Sequence, residues 1–305
     1  FAQHPTITSA KSGPCQEPST WVENRQPTPL DVVLIREEHT VNGSCNAAVL
    51  GVHGIYSLDG GTLRVDTVLI YRAGRFHCMN TGEIIIQDQP IDYKNDVKQF
   101  GTGIINFGER KCHGAPKTPF VRLAQDARAG GLTLVLSSIP EGWRAGDRLF
   151  IPDTRQTPML YTTAPIPMRW EEITVASVAG PVVVLAGPLQ FDHLGAFGKQ
   201  AHAVNLTRSI VIRSANPNGT RGHTLFTERA SVSIKNVQFE SLGRTTERLL
   251  SDAQQLGGVW YPGGNQRGRY GVHFHWLMGP RNLANVGYQY VFEGNSVIDS
   301  RRWGI

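Results

Sequence analysis

Apolar positions along this chain come in short runs rich in β-branched residues, each cut by Gly, Asp, Asn or Pro. Asp31-Val32-Val33-Leu34-Ile35, Gly61-Thr62-Leu63-Arg64-Val65, Asp66-Thr67-Val68-Leu69-Ile70 and Gly82-Glu83-Ile84-Ile85-Ile86 are typical. Runs this short, bounded by turn formers, predict strands rather than helices. One segment reads otherwise. Thr245 to Gln255 is rich in Glu, Arg, Leu, Ala and Gln and stops at Gly257-Gly258, which predicts the only helix of the chain. The pattern as a whole is all-β.

Two styles of strand alternate along the sequence. Between Asp31 and Phe107 alternation is poor and apolar residues stand side by side, as in Val68-Leu69-Ile70 and Ile84-Ile85-Ile86. Such runs suit a parallel solenoid, whose inward side chains stack from coil to coil; a β-sandwich is the structural alternative. Between Gly130 and Leu189, phrases such as Gly131-Leu132-Thr133-Leu134-Val135-Leu136 and Glu172-Ile173-Thr174-Val175-Ala176-Ser177-Val178 alternate, and turns such as Ala179-Gly180 join them. This predicts an antiparallel meander inserted in the solenoid or packed on it. The solenoid style returns at Asn205 to Ser214, Ala230 to Phe239, Tyr270 to His275 and Tyr288 to Ile298, with Asn236 and Asn295 at corners.

Composition narrows the setting. The 305 residues are 40% hydrophobic, enough for a large core, and no apolar run approaches the roughly 20 residues that span a bilayer. The net charge of +5 suits an acidic polysaccharide or anionic surface, but basic residues are scattered and do not interleave with aromatics, so no nucleic-acid groove is expected. Cys15, Cys45, Cys78 and Cys112 lack metal-type spacing, and their even number permits two disulfides in any of three connectivities. Sequons at Asn42, Asn205 and Asn218 are candidate glycosylation sites. Together these predict a secreted or cell-surface protein, extracellular or periplasmic. The first residues, Phe1-Ala2-Gln3, have no charged or apolar leader, so any signal peptide is expected to have been removed.

The chemistry concentrates in Gly268-Arg269-Tyr270-Gly271-Val272-His273-Phe274-His275. Side chains two apart on a strand point the same way, so His273 and His275 could share a metal or act as proton donor and acceptor. Asp192-His193 is expected to fix the exit of the meander, and Trp21 and Trp143 to anchor cores. No phosphate loop, Ser-His-Asp order or zinc-protease motif is present.

The order of these phrases resembles a known family. Ser19-Thr20-Trp21, Pro29 to Ile35, Gly60 to Val65, His113 to Leu123, Gly142 to Ile151, Pro188 to Gly195, Asn205 to Ile212 and Gly268 to His275 follow the order found in proteins carrying the domain named for its eight glycines. That family includes the cell-surface hyaluronidase and cell-migration-inducing hyaluronan-binding group and the fibrocystin-like proteins. The resemblance implies a right-handed parallel β-helix with a small antiparallel insertion. Residues 1–30 would be an N-terminal extension and cap, 31–129 the eight-glycine-type start of the helix, 130–195 the insertion and 196–305 further rungs. Two departures adjoin the histidines: Gly271 stands where hyaluronan-degrading members usually have Pro, and Thr245 to Gln266 is an insertion.

On such a helix a residue one coil away can complete a site. Asp299, Glu293 and Asp252 are the nearest carboxylates by that rule. His273 and His275 with one carboxylate could hold one divalent metal ion; without metal, His275 oriented by Asp299 could exchange protons with a sugar. Arg244, Arg269 and Arg301 are candidates for uronate carboxylates, and Trp260 (beside Tyr261) and Trp276 for stacking on sugar rings. The expected function is therefore binding, with depolymerisation a further prospect, of an anionic polysaccharide such as a hyaluronan-like polymer. The alternative is a non-catalytic surface, adhesion or assembly scaffold with protein partners at the cell surface. Asp299 to Ile305 resembles the start of another rung, so a longer chain or a capping partner is expected at the C-terminal coil.

Overall fold

The computed structural model describes residues 4–156, 166–279 and 287–305. Two compact units emerge, one formed by Phe1–Ala115 with Ser209–Ile305 and the other by Pro116–Arg208.

The first unit is a parallel β-helix with three faces. One face stacks Ile7–Thr8, Val32–Ile35, residues 49–52, residues 67–70, Gly103–Asn106, His223–Glu228 and His273–Leu277. The second is a seven-stranded sheet running from Gly13–Pro14 through Thr40–Asn42, Ile55–Asp59, Arg75–Asn80, Glu109–Gly114 and Ser231–Lys235 to Tyr290–Glu293. The third stacks residues 45–47, residues 62–65, Gly82–Ile86, Ile210–Ser214, Val237–Glu240 and Ser296–Ile298. All these pairings are parallel, which rules out the sandwich.

The apolar runs explain the stacking. Cys45, Leu63, Ile84, Ile212, Phe239 and Val297 occupy equivalent register positions on successive coils, as do Ile35, Val52, Ile70, Asn106, Phe226 and Phe274. Nearly all of these are buried in one continuous core. Full burial of one such aliphatic side chain stabilises by about 1.5–3 kcal/mol, so a column of them fixes the register of each coil on the next. The cysteines pair as Cys15–Cys45 and Cys78–Cys112, each bond tying one coil to its neighbour.

The second unit is antiparallel, in the strand order Phe120–Arg122, His202–Asn205, Arg148–Ile151, Glu171–Ala179, Val182–Leu185, Thr133–Val135. A bridge between Leu123 and Leu136 joins the two outer strands, so the sheet closes into a small barrel around Leu134, Leu149, Ile151 and Val183.

The expected helix is absent. Residues 245–253 are irregular, and Gln254–Leu256 pairs antiparallel with Val259–Tyr261. Gly257 and Gly258 are both left-handed, with φ of 55° and 82°. Two such residues make a tight hairpin turn whose twist matches the flanking strands, and that geometry prevails over the helical propensity of Glu, Leu and Ala.

Candidate functional site

The His273–Leu277 strand lies beside His223–Glu228, with His273 opposite Leu225 and His275 opposite Thr227. Phe274 points inward, where its ring stacks on Phe226 with centroids 5.0 Å apart. The pleat therefore turns His273 and His275 outward together, and their ring centroids are 5.1 Å apart. His273 Nδ1 lies 2.7 Å from the carbonyl of Gly268. A carbonyl only accepts, so Nδ1 carries the proton and Nε2 keeps its lone pair. Burial lowers the pKa of His273; the hydrogen bond to Gly268 opposes it, and the neighbouring His275 and Arg269 add to the lowering. Its Nε2 is thus a neutral acceptor at pH 7, next to the exposed ring of His275.

Trp276 completes the arrangement through a backbone irregularity. Thr227 pairs with His275 but Glu228 pairs with Leu277, so Trp276 is the extra residue of a β-bulge, at φ 48°. A bulky residue in the left-handed region costs on the order of 1–3 kcal/mol and persists only where its surroundings impose it. The bulge leaves Trp276 77% exposed with its ring stacked on His275, 5.3 Å between centroids and 10° between planes. Trp276 also lines a cavity of ≈ 590 Å³ with Arg72, Glu228 and Met278, in which Arg72 and Glu228 are ion-paired at 2.8 Å.

The carboxylates expected beside the histidines are engaged elsewhere. Asp299 Oδ2 accepts hydrogen bonds from Arg221 at 2.7 Å and Ser241 at 3.0 Å. Glu293 pairs with Lys235, which lowers its pKa, and Asp252 accepts from the backbone N–H of Arg267. Among the described residues, no three His, Cys, Asp or Glu side chains form a group that could hold a metal ion. Two imidazoles alone do not complete the ligand set of a divalent ion.

Two of the three arginines expected to hold uronates are buried structural ties. Arg244 donates to the carbonyls of Gln89, Pro90 and Arg221, to Thr220 Oγ1 and to Gln99 Oε1. Arg269 donates to the carbonyls of Lys98, Gln99 and Arg267 and lies over the ring of Phe100 at 4.0 Å. Such folded-back guanidiniums are not free to chelate a carboxylate beside the histidines. Arg301 is half-buried and its side chain has no hydrogen-bond or salt-bridge partner among the described residues.

Trp260 sits on the hairpin, 39% exposed, with Lys98 Nζ 4.5 Å above its ring. Asn42 and Asn218 are exposed. Asn205 is not a glycan acceptor in the folded chain: it is fully buried, donates to Asp147 and accepts from the Thr207 N–H. His193 is fully buried between Glu171 and the carbonyl of Pro152, and Trp143 and Trp21 each donate to a backbone carbonyl from buried positions. Sequence reasoning missed Arg72, Met278 and Tyr270, whose ring lies 5.1 Å from that of His273. Tyr270 was within reach, three residues before His273; Arg72 comes from a coil three turns earlier and gives no sequence signal.

No family model and no curated protein matches the chain. Solved structures similar to it are phage tailspikes. One is the tailspike of Acinetobacter baumannii bacteriophage AP22 in complex with A. baumannii capsular saccharide, with 11% identity, TM-score 0.26, 80% of this chain and 35% of that chain covered. A second is the tailspike of Pseudomonas phage phi297, with 16% identity, TM-score 0.26 and coverage of 65% and 34%. A third, from Pseudomonas phage LKA1, has 14% identity, TM-score 0.25 and coverage of 66% and 33%. The chain spans about a third of the length of these structures.

Proposed function

We propose that this protein binds an anionic polysaccharide on the outer face of its β-helix, at His273, His275 and Trp276. The observation that carries the reading is the exposed Trp276 ring, held out by a strained bulge and stacked beside two outward imidazoles. An aromatic face takes the apolar face of a sugar ring, while His273 Nε2 accepts a hydrogen bond from a hydroxyl. The net charge of +5 favours an acidic polymer such as hyaluronan. Two disulfides support an extracellular or periplasmic setting. Since no carboxylate contacts the histidines among the described residues, the arrangement supports binding ahead of bond cleavage.

The test is affinity electrophoresis in gels containing hyaluronan or a neutral glucan. Retardation by hyaluronan should fall at least tenfold in Trp276→Ala and in the His273→Ala/His275→Ala double variant; unchanged retardation in both would overturn the proposal. Release of reducing ends from hyaluronan by the native protein, lost in the histidine variant, would add cleavage to binding.

A further inference from the structure

The loops that leave the third face of the β-helix and return to the first enclose a cavity of ≈ 610 Å³, within the range of about 300–1,000 Å³ usual for small-ligand sites. Its chemistry is one-sided. Arg244, Arg248 and Arg301 line it with Tyr93, Asn218 and Asn265, and no Asp or Glu does among the described residues.

The positive charge there has no carboxylate in direct contact. The five acceptors of Arg244 are all neutral oxygens, and its Nε has no partner. Burial lowers the pKa of Arg244, partly offset by Asp96 and Asp88 acting through space. The Arg269 guanidinium, whose hydrogen bonds also end on neutral carbonyls, is pushed down to about 10 by burial, with Asp96 and Asp252 opposing through space. Burial likewise lowers the pKa of Arg301, the nearby Arg221 adding to it while Asp299 and Asp88 oppose. These two carboxylates are occupied: Asp88 accepts from Thr220, Asn216 and the Arg221 N–H, and Asp299 from Arg221 and Ser241. Buried cations with no carboxylate in hydrogen-bond contact are only partly screened and project a positive potential onto the adjacent surface.

The two arginines that remain free are held on fixed backbone. Asn265 Nδ2 donates to the carbonyls of Thr246, Arg248 and Leu249, and Arg302 donates to those of Thr246 and Arg248, so the turn carrying Arg248 is pinned while its side chain is exposed. Arg301 donates its N–H to the carbonyl of Leu242 and packs against Gly243, where a Cβ would come within 2.9 Å of its carbonyl oxygen. Neither side chain has a hydrogen-bond or salt-bridge partner among the described residues. Tyr93, 56% exposed, supplies an aromatic wall. The adjoining cavity of ≈ 830 Å³ shares Ile91, Tyr93 and Arg244 but is lined by Asp66, Asp92 and Asp96, which confines an anion to the first.

From this we infer a second ligand position, a subsite for an acidic sugar residue whose carboxylate is chelated by Arg248 and Arg301 while its ring lies against Tyr93. Paired N–H donors in a guanidinium match a carboxylate, and the absence of a competing carboxylate in the cavity leaves them available. The choice of a sugar rests on the polysaccharide reading; the anion preference rests on the cavity itself.

Calorimetric titration tests it with a hyaluronan tetrasaccharide, neutral chitotetraose and inorganic sulfate as probes. The native protein should bind the acidic tetrasaccharide at least tenfold tighter than either of the others. In the His273→Ala/His275→Ala background, where only this subsite is left, the acidic tetrasaccharide should still bind, and adding Arg248→Gln/Arg301→Gln, with an unchanged melting temperature, should lower that remaining affinity at least tenfold. Unchanged affinity on adding the arginine substitutions, sulfate binding as tightly as the tetrasaccharide, or no preference over chitotetraose would overturn the subsite. Loss of all binding in the histidine variant alone would overturn it too, while leaving the reading of the histidine face intact.

Discussion

The inserted barrel and the β-helix hold buried charge in different ways. In the barrel, Lys117 Nζ sits 2.7 and 2.8 Å from the two oxygens of Asp147, and His193 Nε2 is 2.8 Å from Glu171. In the β-helix, Arg110, Arg244 and Arg269 are buried with no carboxylate in contact among the described residues, and His223 is buried with its Nδ1 unpartnered. Where the β-helix does pair its arginines, as in Arg25–Asp31 and Arg221–Asp299, one member of each pair is open to solvent. A closed pair cancels its own field and holds a fold together; an unpaired buried cation keeps its field and shapes what can bind nearby. On this basis the barrel's polar cluster is architectural, and the corner of the β-helix is a ligand surface.

The largest test of that contrast is Asp147→Ala. Asp147 accepts from Lys117, Asn205 and the Arg144 N–H, and both it and Lys117 are almost fully buried. Removing one member of a buried pair leaves an uncompensated charge, at a cost of about 3–5 kcal/mol. Urea unfolding should show a loss of that size; a loss below about 1 kcal/mol, the value of a surface pair, would erase the distinction.

A smaller effect comes from pH, on the other side of the comparison. His223 donates from Nε2 to the carbonyl of Phe100, and burial pushes its pKa from 6.5 down to about 3, with Arg269, Arg244 and His273 adding to the effect. Below pH 6.5 the unfolded chain takes up a proton that the folded chain refuses until about pH 3. The contribution of His223 to stability is therefore complete above pH 6.5 and lost on acidification, by about 2 kcal/mol at pH 5. Unfolding free energies at pH 7.5 and 5.0 should differ by that much more in the native chain than in His223→Gln, whose amide keeps the donor. Equal differences would mean the ring is not held neutral.

Much of this architecture was legible in the sequence, because it depends on local period. Consecutive apolar residues such as Ile84-Ile85-Ile86, all buried, marked the coils, and segments that alternate or pair through turns marked the barrel. The spacing of His273 and His275 gave their common face for the same reason. Gly257-Gly258 misled because two glycines end a helix and turn a hairpin equally well, and only the pairing of Gln254–Leu256 with Val259–Tyr261 decides. Arg244 and Arg269 misled because a sequence shows a guanidinium but not the carbonyls it folds back on. The arginine cavity was illegible for another reason: Tyr93, Asn218, Arg248 and Arg301 lie on four separate loops, and nothing periodic connects them before the coils stack.

The smallest expected effect gives the contrast its sign. Arg110 points into the β-helix core with Nε and Nη1 unpartnered, Nη2 3.6 Å from Cys78 Sγ, and its guanidinium 4.0 Å over the ring of Phe76. Burial pushes it down to about 9. Each unsatisfied buried donor costs about 1–3 kcal/mol, and a desolvated cation–π contact returns about 2 kcal/mol. The two unpartnered donors together outweigh that return over most of this range, and an unbranched apolar side chain fills the same space without either. Arg110→Met should therefore stabilise the chain by about 1 kcal/mol in urea unfolding, whereas removing a charge from the barrel destabilises it. A loss of more than about 1 kcal/mol would mean that Arg110 has a partner inside the coil, and that the β-helix compensates its buried charge as the barrel does.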